Sequence, residues 1–92
     1  MTNNNGSGTI DIDKLLEERG KIHGDARTTH AVAYTIFKEL EDCGEINDAT
    51  LGMIFLICVK LARAAQHPKH EDHWTDIIGY AELIKRVECG GA

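Results

Sequence analysis

The sequence holds little proline, cysteine or serine, and each shortage excludes a class of protein. One proline in 92 residues leaves long stretches free to form helices. Cys43, Cys58 and Cys89 are widely spaced and form no C-x-x-C pair, which argues against a disulfide framework or a cysteine zinc site. Ser7 is the only serine, so no serine-nucleophile motif is present.

A long apolar run and an excess of basic residues are also missing. The longest apolar run, Met53 to Val59, is far shorter than the roughly 18 residues that a membrane helix needs. Ten basic and fifteen acidic side chains give a net charge of −5, whereas proteins that neutralise duplex phosphates are usually basic. Residues 1–8 do not resemble a signal peptide. We therefore expect a cytoplasmic protein that binds neither a membrane nor duplex DNA.

What the sequence does have is helical periodicity in four segments, which predicts an all-α fold, a small four-helix bundle. We assign residues 1–9 to a disordered tail and residues 10–89 to one helical domain. The predicted helices run from about Asp11 to Arg19, from Asp25 or Thr28 to Gly44, from Asn47 or Asp48 to His67, and from Glu71 or Asp72 to Val87. Gly20 is the predicted stop of the first helix.

The third helix is apolar on almost every side, which indicates burial from several directions. Three short partner helices provide less burial than this, so the sequence favours a homo-oligomer through the third helix over a central helix in a monomer. In the fourth helix the expected inner stripe is Trp74, Ile77, Ile78, Ala81, Ile84 and Val87. Gly79 lies within this helix, where a glycine usually marks the close approach of another backbone.

Two segments, residues 21–25 and 67–76, combine many polar side chains with a position at a helix N-terminus. Free backbone N–H groups and the helix dipole favour an anion there, so Lys21, His23 and Asp25 are candidate ligand-binding residues. The alternative is that both segments are ordinary capped loops. The sequence alone leaves open whether the two segments meet.

Lys60 and Arg63 interrupt the apolar third helix one turn apart. Charged side chains on such a helix should be paired with an opposite charge or should bind a ligand, because burying them alone is costly. One interpretation is an ion pair to Asp76 or Asp25; the other is contact with a ligand phosphate. His73, Asp76 and Tyr80 share a face of the fourth helix, which we expect to lie apart from the centre of its apolar stripe.

The metal-binding patterns are sparse. His67, His70 and His73 are three residues apart, but Pro68 breaks the helix that would align them. Asp72 and Asp76 are four residues apart, so the two carboxylates could share a magnesium ion through water. Glu17, Glu18 and Asp25 could join them only if the first loop folds against the fourth helix.

Three segments together resemble a known family. They are LEERGKIHGD at residues 16–25, KLAR at residues 60–63 and DHWTDIIGYA at residues 72–81. This combination resembles a family of small phage and prophage proteins of unknown function, over roughly Leu15 to Val87. The resemblance implies a phage-encoded protein that acts in the cytoplasm of a bacterial host, and it brings no established activity.

A looser similarity is to the MazG-like all-α nucleoside triphosphate pyrophosphatases. Those are small helical oligomers in which E-x-x-E and E-x-x-D motifs hold magnesium on a triphosphate. Here His73-x-x-Asp76 stands in place of an acidic pair, and the chain contains no E-x-x-E. The similarity therefore implies nucleotide chemistry but leaves its divalent-metal step in doubt.

Three functional hypotheses follow. The first is a helical oligomer that binds a phosphorylated nucleotide and sequesters a host immune signal. In it Lys60 and Arg63 contact phosphate, Asp25 or Asp76 accepts hydrogen bonds from base or ribose, and Tyr80 or Trp74 stacks on the ligand. The complete set of candidate ligand-binding residues is Lys21, His23, Asp25, Lys60, Arg63, His73, Asp76 and Tyr80.

The second hypothesis is a magnesium-dependent nucleotide pyrophosphatase, in which Asp72, Asp76 and Glu18 hold the ion and Lys60 steadies the triphosphate. The third is a protein-binding phage accessory factor that inhibits a host enzyme through the acidic stretch from Glu39 to Glu45. The first hypothesis ranks above the second, because the anion-binding features are present while the carboxylate set is incomplete.

Overall fold

The fold is all-α, as the periodicity predicted. In the computed structural model, residues 11–90 are described, except for the side chains of Ile22 and His23. The predicted tail at residues 1–9 lies outside this range. Over residues 11–90 the chain forms no strand, and its helices are α1 (Ile12–His23), α2 (Ala26–Glu41), α3 (Asp48–Gln66) and α4 (Glu71–Cys89).

Side-chain caps fix where three of these helices begin. Asp11, Asp25 and Asn47 each accept a hydrogen bond from the backbone N–H three residues further on. Such caps satisfy N–H groups that have no partner within the helix. The predicted caps Asp25 and Asn47 are confirmed. α4 has no side-chain cap hydrogen bond, but Glu71 and Asp72 place negative charge in its first turn, which its dipole favours.

The first helix is longer than the sequence predicted, because it continues through Gly20 to His23. A glycine inside a helix costs only about 1 kcal/mol, so Gly20 alone does not stop it. The helix ends instead at Gly24, whose φ of 90° is a conformation that glycine adopts readily. α2 ends at Glu41, before the predicted stop at Gly44.

α3 lies between α2 and α4 and packs against both, while α1 makes few contacts and makes them with α3. The core between α2 and α3 consists of small buried side chains with larger, half-buried ones around them. Phe37 and Phe55 pack edge to face there, with ring centroids 5.3 Å apart. The buried members are Ala33, Cys58, Val59 and Ala62, and the half-buried ones are Ile36, Phe37, Ile54 and Phe55.

The inward face of α4 differs from the predicted apolar stripe. His73 is 1% exposed, and Ile77, Tyr80 and Ile84 on the same face are half-buried. Ile78, by contrast, is 70% exposed. The buried face of α4 is therefore rotated about the helix axis relative to the predicted stripe. The prediction counted apolar residues only, so it left out the histidine and the tyrosine that lie on this face.

Large apolar side chains are exposed on all four helices. Trp74 and Val87, which we placed in the inner stripe, are among them, and a Cβ added at Gly79 would meet no described atom within 4 Å. The expected backbone approach at Gly79 is therefore absent from the described part of the chain. The exposed large hydrophobic residues are Ile12, Leu15, Leu16, Val32, Tyr34, Leu40, Leu56, Leu61, Trp74, Ile78, Leu83 and Val87. None of the described helices is long and apolar enough to cross a membrane.

Candidate functional site

The two polar segments meet where the end of α1 lies beside the end of α3. The Nε2 atom of His67 is 3.2 Å from the carbonyl oxygen of Gly20. Close by, the backbone N–H of Asp25 donates to Oε1 of Gln66 at 3.0 Å. The fold therefore brings residues 20–25 against residues 66–67.

Gln66 contacts Gly24, Asp25 and Thr29 at this point and so links α3 to the start of α2. We call these contacts the Gln66 junction. The Nε2 atom of Gln66 donates to the hydroxyl of Thr29 at 2.9 Å and to the carbonyl of Ala62 at 3.1 Å. Thr29 is fully buried. A Cβ at Gly24 would lie 2.7 Å from Nε2 of Gln66, so only glycine leaves room for this amide.

A cavity of about 330 Å³, which we call the arginine cavity, opens beside the junction. It contains two guanidinium groups and one carboxylate, next to the N-terminus of α2. Within residues 11–90, neither Arg19 nor Arg63 forms an ion pair or a side-chain hydrogen bond. The lining residues are Leu16, Arg19, Gly20, Gly24, Asp25, Ala26 and Arg63.

One oxygen of the Asp25 carboxylate caps α2. This oxygen, Oδ2, accepts a hydrogen bond from the backbone N–H of Thr28 at 2.9 Å. Hydrogen bonds from the backbone and then the side chain of Thr28 lower the pKa of Asp25, so the group stays ionised at neutral pH. One negative charge against two guanidinium groups leaves the arginine cavity positive and suited to an anion.

A second, larger cavity lies on the other side of the junction, with a volume of about 540 Å³. We call it the histidine cavity; its lining residues are Lys21, Gln66, His67, Pro68, Lys69 and His70. No carboxylate belongs to this lining. The Nζ atom of Lys21 is 3.5 Å from Glu17, but both side chains are more than 70% exposed, so that pair is weak.

Lys60 and Asp76 pair with each other and line neither cavity. The ammonium of Lys60 lies 2.8 Å from Oδ2 of Asp76, which joins α3 to α4. The hydrogen bond from Lys60 lowers the pKa of Asp76. The predicted ion pair is therefore confirmed for Lys60, whose ammonium is held by Asp76 and does not line the arginine cavity.

His73 and Tyr80 lie on the packing face of α4, not apart from it as predicted. The buried ring of His73 packs against that of His70, with centroids 4.7 Å apart. Tyr80 and Trp74 line neither cavity, and the indole Nε1 of Trp74 donates to the carbonyl of Pro68 at 2.7 Å. The side chain of His23, another predicted site residue, lies outside the described part of the structure.

Asp72 and Asp76, the predicted magnesium ligands, each lie beside a different side chain. Lys60 occupies the side of Asp76 where a cation would bind. The side chain of Asp72 is 82% exposed, with its Oδ2 3.9 Å from Nε2 of His70. Over the described residues, no three histidine, cysteine, aspartate or glutamate side chains come together in a metal-binding group.

The sequence reasoning left Arg19 and Gln66 outside the candidate site, and it included Lys69 only within the anion-favouring segment 67–76, not as a ligand. Arg19 follows two acidic residues on an exposed helix, which is a common setting for a solvated arginine. Its partnership with Arg63 depends on how α1 docks on α3, and no local spacing encodes that. Gln66 offered one usable signal, because it is the last residue before a predicted helix end.

A family model described as "Domain of unknown function (DUF6378)" matches residues 12–88. This range includes both cavities and all of the four helices except the last residue of α4, and the chain belongs to this family. No curated protein and no solved structure matches the chain.

Proposed function

We propose that this member of the DUF6378 family binds a phosphorylated nucleotide in the arginine cavity. The observation that carries the proposal is the contrast between two cations on α3. Lys60 has a carboxylate partner at 2.8 Å, whereas Arg63, one turn later and half-buried, has no ion pair in the described part of the chain.

A half-buried guanidinium without a counter-charge is costly unless something else supplies one. A phosphate fits this position, because it accepts two parallel hydrogen bonds from an arginine. Arg19 supplies a second guanidinium to the same cavity. The first-turn N–H groups of α2 add donors and a favourable dipole.

A nucleotide fits the cavity better than phosphate alone. The volume of about 330 Å³ exceeds what one phosphate fills, and Leu16 gives an apolar wall for a base or a ribose. The ionised carboxylate of Asp25 is an acceptor for a ribose hydroxyl or a base amino group. The roles that the sequence suggested for Arg63 and Asp25 thus stay in the proposal, with Arg19 in the place of Lys60.

The proposal includes self-association. The buried apolar side chains are small, and twelve large ones are exposed over the described helices. A chain of this size buries only about 60% of its unfolded surface and gains most from a permanent partner. A second copy of the chain is such a partner, and we propose that it covers exposed apolar residues of the flanking helices as well as of α3.

Binding without turnover is the role that these residues support best. Asp25 caps a helix, Asp76 pairs with Lys60, and over the described residues no three acidic, histidine or cysteine side chains gather as the metal-binding cluster of a pyrophosphatase would. An oligomer that holds a nucleotide without cleaving it can sequester a signal. For a phage-encoded chain, the signal would be one of host immunity.

Isothermal titration calorimetry with nucleoside monophosphates tests the proposal. We expect heat of binding for the wild-type chain and at least a tenfold weaker affinity for Arg63→Gln, which is about 1.4 kcal/mol or more. Arg86→Gln is the matched control, because Arg86 pairs with Glu82 on α4 and lines neither cavity. Absence of heat with every nucleotide, or an Arg63→Gln affinity equal to wild type, would overturn the proposal. Release of pyrophosphate from a nucleoside triphosphate with magnesium would favour the enzymatic alternative.

A further inference from the structure

We infer that the ligand carries two separate phosphoryl groups, one for each cavity, as in a nucleoside 3′,5′-bisphosphate. This inference rests on the proposed function and extends it. The arginine cavity takes one phosphoryl group, and the histidine cavity takes the other.

The two cavities are immediate neighbours. Gly20 lines the arginine cavity and Lys21, the next residue, lines the histidine cavity. On α3, Arg63 and Gln66 line the two cavities in the same way, and residues three apart on a helix are about 5–6 Å apart at Cβ. One small molecule can therefore reach both cavities.

The wall between the cavities decides how the phosphoryl groups must be spaced. It is formed by the Gln66 junction and by the contact of His67 Nε2 with the Gly20 carbonyl at 3.2 Å. Two directly linked phosphoryl groups, as in a nucleoside diphosphate, lie side by side, so both would enter one cavity and leave the cations of the other without a partner. Two groups on opposite sides of a ribose can lie on either side of the wall.

The charges of the histidine cavity also fit a phosphoryl group. Lys21 and Lys69 supply two ammonium groups, and no carboxylate lines this cavity. The Glu17 that pairs with Lys21 is highly exposed, and a doubly charged phosphoryl group competes well with such a pair.

Calorimetry with three ligand types tests the inference: nucleoside 5′-monophosphates, 5′-diphosphates and 3′,5′-bisphosphates of adenosine, guanosine, cytidine and uridine. For the preferred base, we expect the 3′,5′-bisphosphate to bind at least tenfold more tightly than the 5′-diphosphate, which has the same number of phosphoryl groups. Lys69→Gln should lower the bisphosphate affinity toward that of the monophosphate and leave monophosphate binding unchanged. Arg63→Gln should weaken both. Lys85→Gln on the exposed part of α4 is the control for general charge loss.

The outcomes separate the inference from the proposed function. If no nucleotide of any type binds, both fail. If monophosphates bind but the bisphosphate is no tighter than the diphosphate, the inference fails and the proposed function stands. An equal effect of Lys69→Gln and Lys85→Gln on bisphosphate binding would also overturn the inference, because the gain would then be general electrostatic attraction.

Discussion

Lys60 and Arg63 show how the surroundings of a single residue decide its role. The two cations are one turn apart on the same helix, and the sequence offers no reason to treat them differently. Asp76 on α4 neutralises the first, while the second faces a cavity that already contains Arg19. The candidate site depends on this difference.

The Lys60–Asp76 pair predicts a pH dependence of stability. Lys60 lowers the pKa of Asp76 below its ordinary value of 3.8, so the pair stabilises the folded chain fully above that pH. This contribution is lost as the pH falls through the lowered pKa. We expect Asp76→Asn to lower the melting temperature at pH 7 and the deficit to shrink as the pH falls below 3.8, as measured by circular dichroism. A deficit that stays constant with pH would contradict the ion-pair account; Glu39→Gln, at an exposed carboxylate on α2, is the control.

Gly24 predicts a local effect on both stability and the site. Its φ of 90° and ψ of 162° are essentially restricted to glycine, and a Cβ would meet the Gln66 amide at 2.7 Å. We expect Gly24→Ala to lower the free energy of unfolding by about 1–3 kcal/mol. In Gly79→Ala, the added methyl group has open space on a helix, so up to about 1 kcal/mol of stabilisation is expected. Urea unfolding measures both, and equal effects of the two substitutions would refute this reading of Gly24.

Part of the candidate site could be predicted from single residues and part could not. Asp25 was recognisable because it follows Gly24 and directly precedes a segment with helical periodicity, which is the position of an N-cap. Arg63 was recognisable as a charge on an apolar helix. Arg19 could not be found, since its place depends on how α1 docks against α3. Lys69 lies in a segment that the sequence singled out, but its place in the histidine cavity depends on how the α3–α4 turn docks.

At the scale of helices, the sequence predicted the residue where a helix begins better than it predicted which side of the helix is buried. Caps are local, so Asp25 and Asn47 marked two helix starts correctly. The predicted inward face of α4 was only partly right: Ile77 and Ile84 are half-buried as expected, but exposed Ile78 is not. Burial of His73 and Tyr80 was missed because it depends on partners elsewhere in the fold. Hydrophobic periodicity identifies a helix more reliably than it identifies the buried side.

The far end of the bundle offers a prediction about how α3 and α4 are held together. Asn47 caps α3 through Oδ1 and donates from Nδ2 to Glu88 at 2.7 Å, and the Thr50 hydroxyl donates to the same Glu88 oxygen. We expect Asn47→Ala to cost about 1–2 kcal/mol of stability by chemical unfolding, because both contacts are lost.

Asn47→Asp separates the two contributions. Aspartate is as good a cap as asparagine, but it places a second carboxylate beside Glu88. The variant should be destabilised at pH 7 and should recover part of that loss near pH 4, as one carboxylate takes up a proton. Wild-type stability of Asn47→Asp at pH 7 would show that the link to Glu88 contributes little.

At the scale of the whole molecule, many of the large apolar side chains are exposed to solvent. The side chains buried between α2 and α3 are small, while residues such as Ile78 and Leu83 face outward. The sequence predicted an oligomer through the third helix. α3 is flanked by α2 and α4, which moves the proposed contact surface toward the flanking helices.

Sedimentation equilibrium checks self-association. We expect a mass of at least twice the 10.2 kDa of one chain for the wild type. Ile78→Lys should dissociate the assembly, because it places a charge within an apolar contact, whereas Glu82→Lys on the same helix should leave it intact. A wild-type mass of one chain at micromolar concentrations would contradict the proposed self-association and leave the nucleotide site of the single chain untouched.

The most direct test of the central claim is amide-resolved NMR of the wild-type chain during titration with the nucleoside monophosphate that binds best in calorimetry. The account predicts chemical-shift changes concentrated at Gly20, Gly24, Asp25, Ala26 and Arg63, the residues that surround the arginine cavity. Shifts centred instead on residues 72–80 of α4, or no shifts with any monophosphate at millimolar concentration, would contradict it.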